Sequence, residues 1–181
     1  MSKPRNGTPH NPQAEEALIG CLLRDPKIIA DMLPIVRPEA FYSFRAQAIY
    51  QAVVTVYAAG NVVDPYSVGL ELNAKGRLED VGAGYITELL DDTLSTHNWR
   101  NYADAVREEF INRSLIYIAN ESVINVTDKV GPSSLILADA EKQLAKLSIG
   151  STDKKAVHIG EIIQRVVDEI SKRRENGGDA D

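Results

Sequence analysis

The feature that most constrains this chain is the stretch 96–128, which contains neither proline nor glycine. Because these two residues are the strongest helix breakers, their absence permits one helix much longer than the usual length of about three turns. Gly131 and Pro132 predict its end. Beyond them, four apolar residues recur at the spacing of a narrow pairing seam, so we predict a helical hairpin over residues 95–149. The seam consists of Leu137, Ala140, Leu144 and Leu147.

The part of the chain before this stretch is divided into shorter helices by capping residues and prolines. Asp25-Pro26 and Asp64-Pro65 each place a capping side chain in front of a residue that is favoured at the first helical position. Ser43 can cap a longer helix that ends at Gly60. The β-branched run 53–56 inside it also suits a strand, but the helical period of the preceding residues favours a helix.

Two further glycines complete the pattern of this first part. Gly82 and Gly84 predict a turn before the next helical segment, which begins near Tyr85. We therefore predict a helical globular domain over residues 13–94. The preceding residues 1–12 are rich in proline and show no apolar period, so they are interpreted as a flexible arm.

The end of the chain carries a second amphipathic pattern beyond a polar linker. Residues 150–157 have the small, polar and charged composition of a linker. A helix is predicted over 158–175, followed by a tail over 176–181, and its apolar stripe either folds back on its own domain or is offered to a neighbouring chain. The predicted fold class is all-α: a small orthogonal helical bundle, a helical hairpin and a separate linker helix. The stripe consists of Ile159, Ile162, Ile163, Val166, Val167 and Ile170.

Composition argues against catalysis and against nucleic acid as the main ligand. The net charge is -6, whereas binding to a phosphate backbone needs a basic face. No phosphate-binding loop is present, and three scattered histidines with the single Cys21 give no local zinc pattern. The adjacent acidic residues at 91–92 and at 108–109 are only a weak indication of acid–base catalysis, because the side chains of adjacent residues on a helix point in different directions. We expect no enzyme, no cofactor, no metal and no membrane span, and a cytoplasmic location.

Several short motifs in a fixed order resemble the DnaB-type replicative DNA helicases, in the part that precedes their motor domain. The resemblance runs from Pro9 to about Glu175. No single motif is specific, but the ordered set is. The motifs lie at residues 13–20, 25–26, 38–42, 49–52, 64, 72, 76–82 and 85–89.

The resemblance implies an oligomerisation and docking module. In this family the amino-terminal domains and hairpins pair with their own kind, from dimers to a hexameric ring, and the linker helix docks on the motor domain of the adjacent subunit. The ring receives the carboxy-terminal domain of primase and a helicase loader. DNA is reached only through the parent helicase, whose ATP and Mg²⁺ belong to a motor domain that is missing from this chain.

The same resemblance assigns roles to particular residues. The primase-facing role falls on Gln13, Tyr85 and Ile116, and the family commonly has glutamate where this chain has Gln13. The linker-docking role falls on Ile159, Ile162, Ile163, Val166 and Ile170. The alternative hypothesis is a free-standing phage or plasmid adaptor that binds primase or the host helicase.

Overall fold

A computed structural model of the protein describes residues 7–148. Regular secondary structure in this part of the chain is entirely helical, which confirms the predicted all-α fold class. Its elements are α1 (Pro12–Arg24), α2 (Ile28–Met32), a 3₁₀ turn (Pro38–Ala40), α3 (Phe44–Ala58), α4 (Pro65–Ala74), α5 (Leu78–Val81), α6 (Ala83–Asp92), α7 (Trp99–Thr127) and α8 (Ser133–Ser148).

The predicted linker (150–157), linker helix (158–175) and tail (176–181) lie outside the described residues, as do residues 1–6 of the predicted arm. The docking role of the linker helix is therefore a prediction that rests on sequence alone. The residues concerned are Ile159, Ile162, Ile163, Val166 and Ile170.

Capping side chains set the beginnings of α3 and α4. Ser43 Oγ accepts a hydrogen bond from the Ala46 N–H at 3.4 Å. At α4, Asp64 Oδ1 accepts the Ser67 N–H at 2.7 Å while Ser67 Oγ accepts the Asp64 N–H at 3.0 Å, a reciprocal capping box. The bond from the Ser67 N–H is the main reason why the pKa of Asp64 lies below its ordinary value. Both predicted helix starts are confirmed, and 53–56 is helical.

The predicted start of α2 at Pro26 is wrong. The Asp25 carboxylate accepts the Lys27 N–H at 3.2 Å, which closes a tight turn instead of capping a helix. The helix then begins at Ile28, two residues later than predicted.

The predicted two-glycine turn before Tyr85 is also partly wrong. Gly82 alone makes the turn, with a φ of 83° that side-chain-bearing residues rarely adopt. It ends α5, a short helix that the sequence analysis did not predict, and begins α6. Gly84 lies inside α6 as an ordinary helical residue.

The hydrophobic core is built around α1, which packs against α3, α6 and α7. The first turns of α7 also belong to this core, because Ala103 and Val106 are buried in it. The hairpin therefore shares its first helix with the bundle, and the predicted boundary between residues 94 and 95 remains a prediction. The largest fully buried side chains of the core include Leu18, Ile19, Leu22, Ile49, Tyr50 and Val53.

The hairpin consists of α7 and α8. With 29 residues, α7 is about 44 Å long and reaches well beyond the core. The side of α8 that packs against it is half-buried, and Gln143 Nε2 donates to Glu121 Oε2 across the pair at 3.4 Å. Of the predicted seam, Ala140 and Leu147 are half-buried, whereas Leu137 is 61% exposed and Leu144 41%. The pairing role of these four residues remains a prediction.

The close approach of α1 and α6 depends on Gly20. A Cβ atom at this position would overlap the Oγ1 atom of Thr93, the residue after α6, and would crowd the carbonyl oxygen of Leu89. Thr93 has little freedom to move, because it is buried and its hydroxyl donates to that same carbonyl at 2.8 Å. Two helices can pack this closely only where one of them lacks a side chain.

We expect Gly20→Ala to lower the free energy of unfolding by about 2 kcal/mol or more, because the added methyl overpacks a buried contact. The matched control is Gly69→Ala in α4, where nothing lies within 4 Å of the new Cβ. In that variant the free energy of unfolding should rise by about 0.5–1 kcal/mol, because alanine has a higher helix propensity than glycine. Urea denaturation followed by circular dichroism measures both, and equal stability of the two variants would contradict the packing at Gly20.

Candidate docking site

The start of α1 is tied to the start of α3 by a buried carboxylate. Glu15 is only 2% exposed, and its two carboxylate oxygens accept the N–H groups of Tyr42 (2.8 Å) and Ser43 (2.9 Å). These N–H groups precede α3, where the helix dipole also favours negative charge. The sequence analysis missed this role, because a glutamate in the first turn of a helix is an ordinary feature of sequences and the partners of Glu15 are far away in the chain.

An arginine from α7 holds the segment before α1 against the same region. One Nη atom of Arg113 donates to the carbonyl oxygen of Pro9 at 2.9 Å, and the other donates to that of Ala40 at 2.6 Å. The His10 ring stacks on Tyr42 with 4.5 Å between centroids. Burial lowers the pKa of Arg113, although nearby negative charge opposes this shift. Within the predicted arm, Pro9 and His10 thus contact the globular domain.

Tyr85 stands at the centre of a second cluster on the surface. Its hydroxyl donates to Glu16 Oε1 at 2.9 Å, and the guanidinium carbon of Arg45 lies 3.4 Å from the centroid of its ring. Arg45 is itself held by a bond from Nε to the carbonyl oxygen of Val81 at 2.8 Å. Burial, followed by the hydrogen bond to Glu16, raises the pKa of Tyr85 to about 12. The phenol is therefore neutral at physiological pH.

The structure brings two of the three predicted primase-facing residues to one side of the molecule. Gln13 is exposed on α1, one turn before Glu16 and so on the same helical face. Glu16 in turn accepts the hydrogen bond from Tyr85. Ile116 is 49% exposed and lies on α7, one turn beyond Arg113. We call Gln13, Glu16, Arg45 and Tyr85 the Tyr85 face.

A second exposed feature lies at the far end of the hairpin, where large apolar side chains are more than half exposed. Exposed apolar groups concentrated in one region often mark a protein-binding surface. Within residues 7–148, no helix is both long enough and apolar enough to cross a membrane. The exposed side chains are Val123, Ile124, Val126, Val130, Leu135 and Leu137.

The described residues thus form a small helical bundle that extends into a long helical hairpin. The sequence profile of the "DnaB-like helicase N terminal domain" family matches residues 7–108. The chain belongs to this family, and so to the non-catalytic amino-terminal domains of DnaB-type DNA helicases.

Curated relatives include whole replicative helicases. The chain is 28% identical over 163 residues to the replicative DNA helicase DnaB of Rhodothermus marinus, covering 90% of this chain and 17% of that protein. It is 27% identical over 172 residues to DnaB of Geobacillus stearothermophilus, covering 94% and 38%. The chain thus spans well under half the length of these relatives.

Solved structures show the same fold. The N-terminal domain of DnaB helicase from Mycobacterium tuberculosis superposes with a TM-score of 0.71 at 26% identity, covering 77% of this chain and 99% of that one. A DnaB-like replicative helicase, described with its interactions with primase, gives a TM-score of 0.63 at 28% identity, covering 85% and 35%.

We expect Glu15→Gln to lower the free energy of unfolding by about 2 kcal/mol, because two charge-assisted bonds become weaker and the amide brings a donor against an N–H group. The control is Glu108→Gln, which changes an exposed carboxylate on α7 and should stay within about 0.5 kcal/mol of the unchanged protein. Urea denaturation measures the difference. A loss at Glu15 no larger than at Glu108 would refute the anchoring role of Glu15.

Proposed function

We propose that this chain is the oligomerisation and docking module of a replicative DNA helicase in the cytoplasm, joining copies of itself and receiving primase and a helicase loader. The parent protein unwinds DNA at the replication fork, with ATP and Mg²⁺ bound in its motor domain. In this proposal the linker helix docks on the motor domain of an adjacent subunit through the apolar residues Ile159, Ile162, Ile163, Val166 and Ile170. The observation that carries the proposal is the likeness, at a TM-score of 0.63, to a helicase described with its interactions with primase.

The Tyr85 face supports the docking part of this proposal. It combines an aromatic ring, a guanidinium and a carboxylate, and tyrosine and arginine are among the residue types enriched where binding energy is concentrated. Its ring is held by defined contacts before any partner arrives. Little side-chain freedom is then lost on binding, which favours affinity.

The hairpin supports the self-association part. Its far end exposes several large apolar side chains on both helices and on the loop between them. Burying such a surface against a second copy removes apolar area from water, at about 25 cal/mol for each Å².

We expect Tyr85→Ala to weaken binding of the cognate primase carboxy-terminal domain by about tenfold or more, the loss typical of a central interface tyrosine. The matched control is Tyr66→Ala, because Tyr66 is 76% exposed on α4, away from the Tyr85 face. Isothermal titration calorimetry with the full chain measures both. Absence of binding by the unchanged protein, or equal losses in both variants, would speak against primase docking at this face.

We expect the full chain to self-associate and the double variant Val123→Lys, Leu137→Lys to become monomeric, because charges would then occupy the apolar end of the hairpin. The control is Val62→Lys, which replaces a 75% exposed valine outside the hairpin and should leave the association unchanged. Sedimentation equilibrium across a range of concentrations gives the masses. A strict monomer for the unchanged chain would count against hairpin pairing.

A further inference from the structure

We propose that Arg45 is a positioning residue of the primase-docking site, which acts by fixing the orientation of Tyr85. This inference rests on the proposed function, since it concerns how the same site binds its partner. Arg45 lies on α3 and Tyr85 on α6, so their contact joins two helices. The guanidinium covers one side of the phenol ring at 3.4 Å from its centroid, well within the range of a cation–π interaction.

The guanidinium is held in place independently of Tyr85. Its Nε donates to the carbonyl oxygen of Val81, the last residue of α5, at 2.8 Å. Gly82 follows directly and lies close to the guanidinium. A Cβ atom built at Gly82 would be in van der Waals contact with Nη2 of Arg45, at 3.5 Å. Arg45 therefore has a fixed attachment at the end of α5, from which its planar group extends over the ring.

Tyr85 is restrained at two points, and by two different helices. Arg45 of α3 restrains the ring through one of its faces, and Glu16 of α1 restrains the hydroxyl at 2.9 Å. A hydrogen bond at the hydroxyl alone permits the ring to rotate about its axis, whereas a cation on one face does not. Removing Arg45 should thus leave Tyr85 attached but free to turn, and a partner would then have to order it.

This arrangement also defines which chemical groups of a partner fit the site. Arg45 is already engaged within the chain, because its Nε donates to the carbonyl oxygen of Val81 and its guanidinium covers one face of the Tyr85 ring. Glu16 keeps its second oxygen for a donor such as an amide or a lysine. Beside Glu16, the uncovered part of the Tyr85 ring suits an apolar side chain. The site therefore fits a primase surface that carries an apolar group next to a hydrogen-bond donor.

Lysine cannot replace Arg45 in this role. An ammonium group supplies the positive charge, but it lacks the flat face that covers the ring and the Nε donor that reaches Val81 at the same time. A simple requirement for positive charge would be met by Arg45→Lys. A requirement for positioning would not, so this variant separates the two explanations.

The test is a double-mutant cycle on the full chain, with the cognate primase carboxy-terminal domain as the probe. Arg45→Met is measured in the unchanged background and in the Tyr85→Ala background. We expect binding about tenfold weaker in the first background, and less than about a twofold further change in the second, because Arg45 acts through Tyr85. We expect Arg45→Lys to recover less than about half of the loss on a logarithmic scale.

The control variant is Arg77→Met. Arg77 also lies over an aromatic ring, that of Phe44, but at 5.0 Å, and its guanidinium makes no hydrogen bond to any residue in the described part of the chain. It matches Arg45 in residue type and in aromatic neighbour without touching Tyr85. We expect the dissociation constant of this variant for the primase carboxy-terminal domain to stay within about twofold of the value for the unchanged protein, as for a surface residue outside the interface.

The outcomes distinguish this inference from the function on which it rests. If the unchanged chain does not bind primase, both are overturned. If it binds but Arg45→Met binds equally well, or loses as much affinity again in the Tyr85→Ala background, only the positioning role is overturned. Circular dichroism checks the fold of each variant. If Arg45→Met does not fold, Arg45→Gln, which keeps an amide donor, takes its place in the cycle.

Discussion

The bond between the Glu15 carboxylate and the two N–H groups ahead of α3 is the constraint on which the other contacts depend. A buried carboxylate is costly unless hydrogen bonds satisfy it, and here both oxygens are satisfied by backbone groups. The anion also lies where the dipole of α3 favours it. These contacts fix the beginning of α1 relative to the beginning of α3, and every other helix of the bundle packs on one of these two or on α6 and α7 beside them.

The residue next to this anchor lies on another side of the helix. Successive residues on a helix diverge by about 100°, and Glu16, which follows the buried Glu15, is exposed. Glu16 then meets the hydroxyl of Tyr85 from α6. One carboxylate thus holds the core together while its neighbour orders the candidate docking face. Because both belong to the first turns of α1, the geometry of the Tyr85 face is coupled to the buried anchor.

Local signals were sufficient to predict most of the helices, with the exception of the short α5, but they did not predict the long-range contacts. Ser43 and Asp64 cap their helices through residues three positions away, and such short distances are visible in a sequence. The contact of Glu15 with Tyr42 spans 27 residues and that of Arg45 with Val81 spans 36. Neither contact produces a periodic pattern in the sequence. The errors at Asp25 and Gly84 are of another kind. An aspartate suits a turn as well as a helix start, and a glycine in the first turn of a helix gives the same local signal as one in the turn before it.

The residues of the Tyr85 face also divide into those that the sequence analysis assigned and those that it missed. Gln13 and Tyr85 were assigned by resemblance alone, and nothing in composition or period pointed to them. Arg45 and Glu16, which hold Tyr85, were missed altogether. Their residue types are ordinary on a helical surface, and only the packing of three helices gives them a common position. A family resemblance can assign a role to a single residue, whereas the contacts that support this residue become visible only in the three-dimensional structure.

The hairpin shows how one sequence pattern can contain two surfaces. The predicted seam of α8 combines positions that pack on α7, such as Ala140 and Leu147, with Leu137, which is 61% exposed. Ile136 and Gln143 complete the half-buried side at helical spacing. A single partner helix would cover only one such stripe. Leu137 lies outside this stripe and stays exposed within one hairpin, and this exposure is the physical reason for proposing that a second copy covers it.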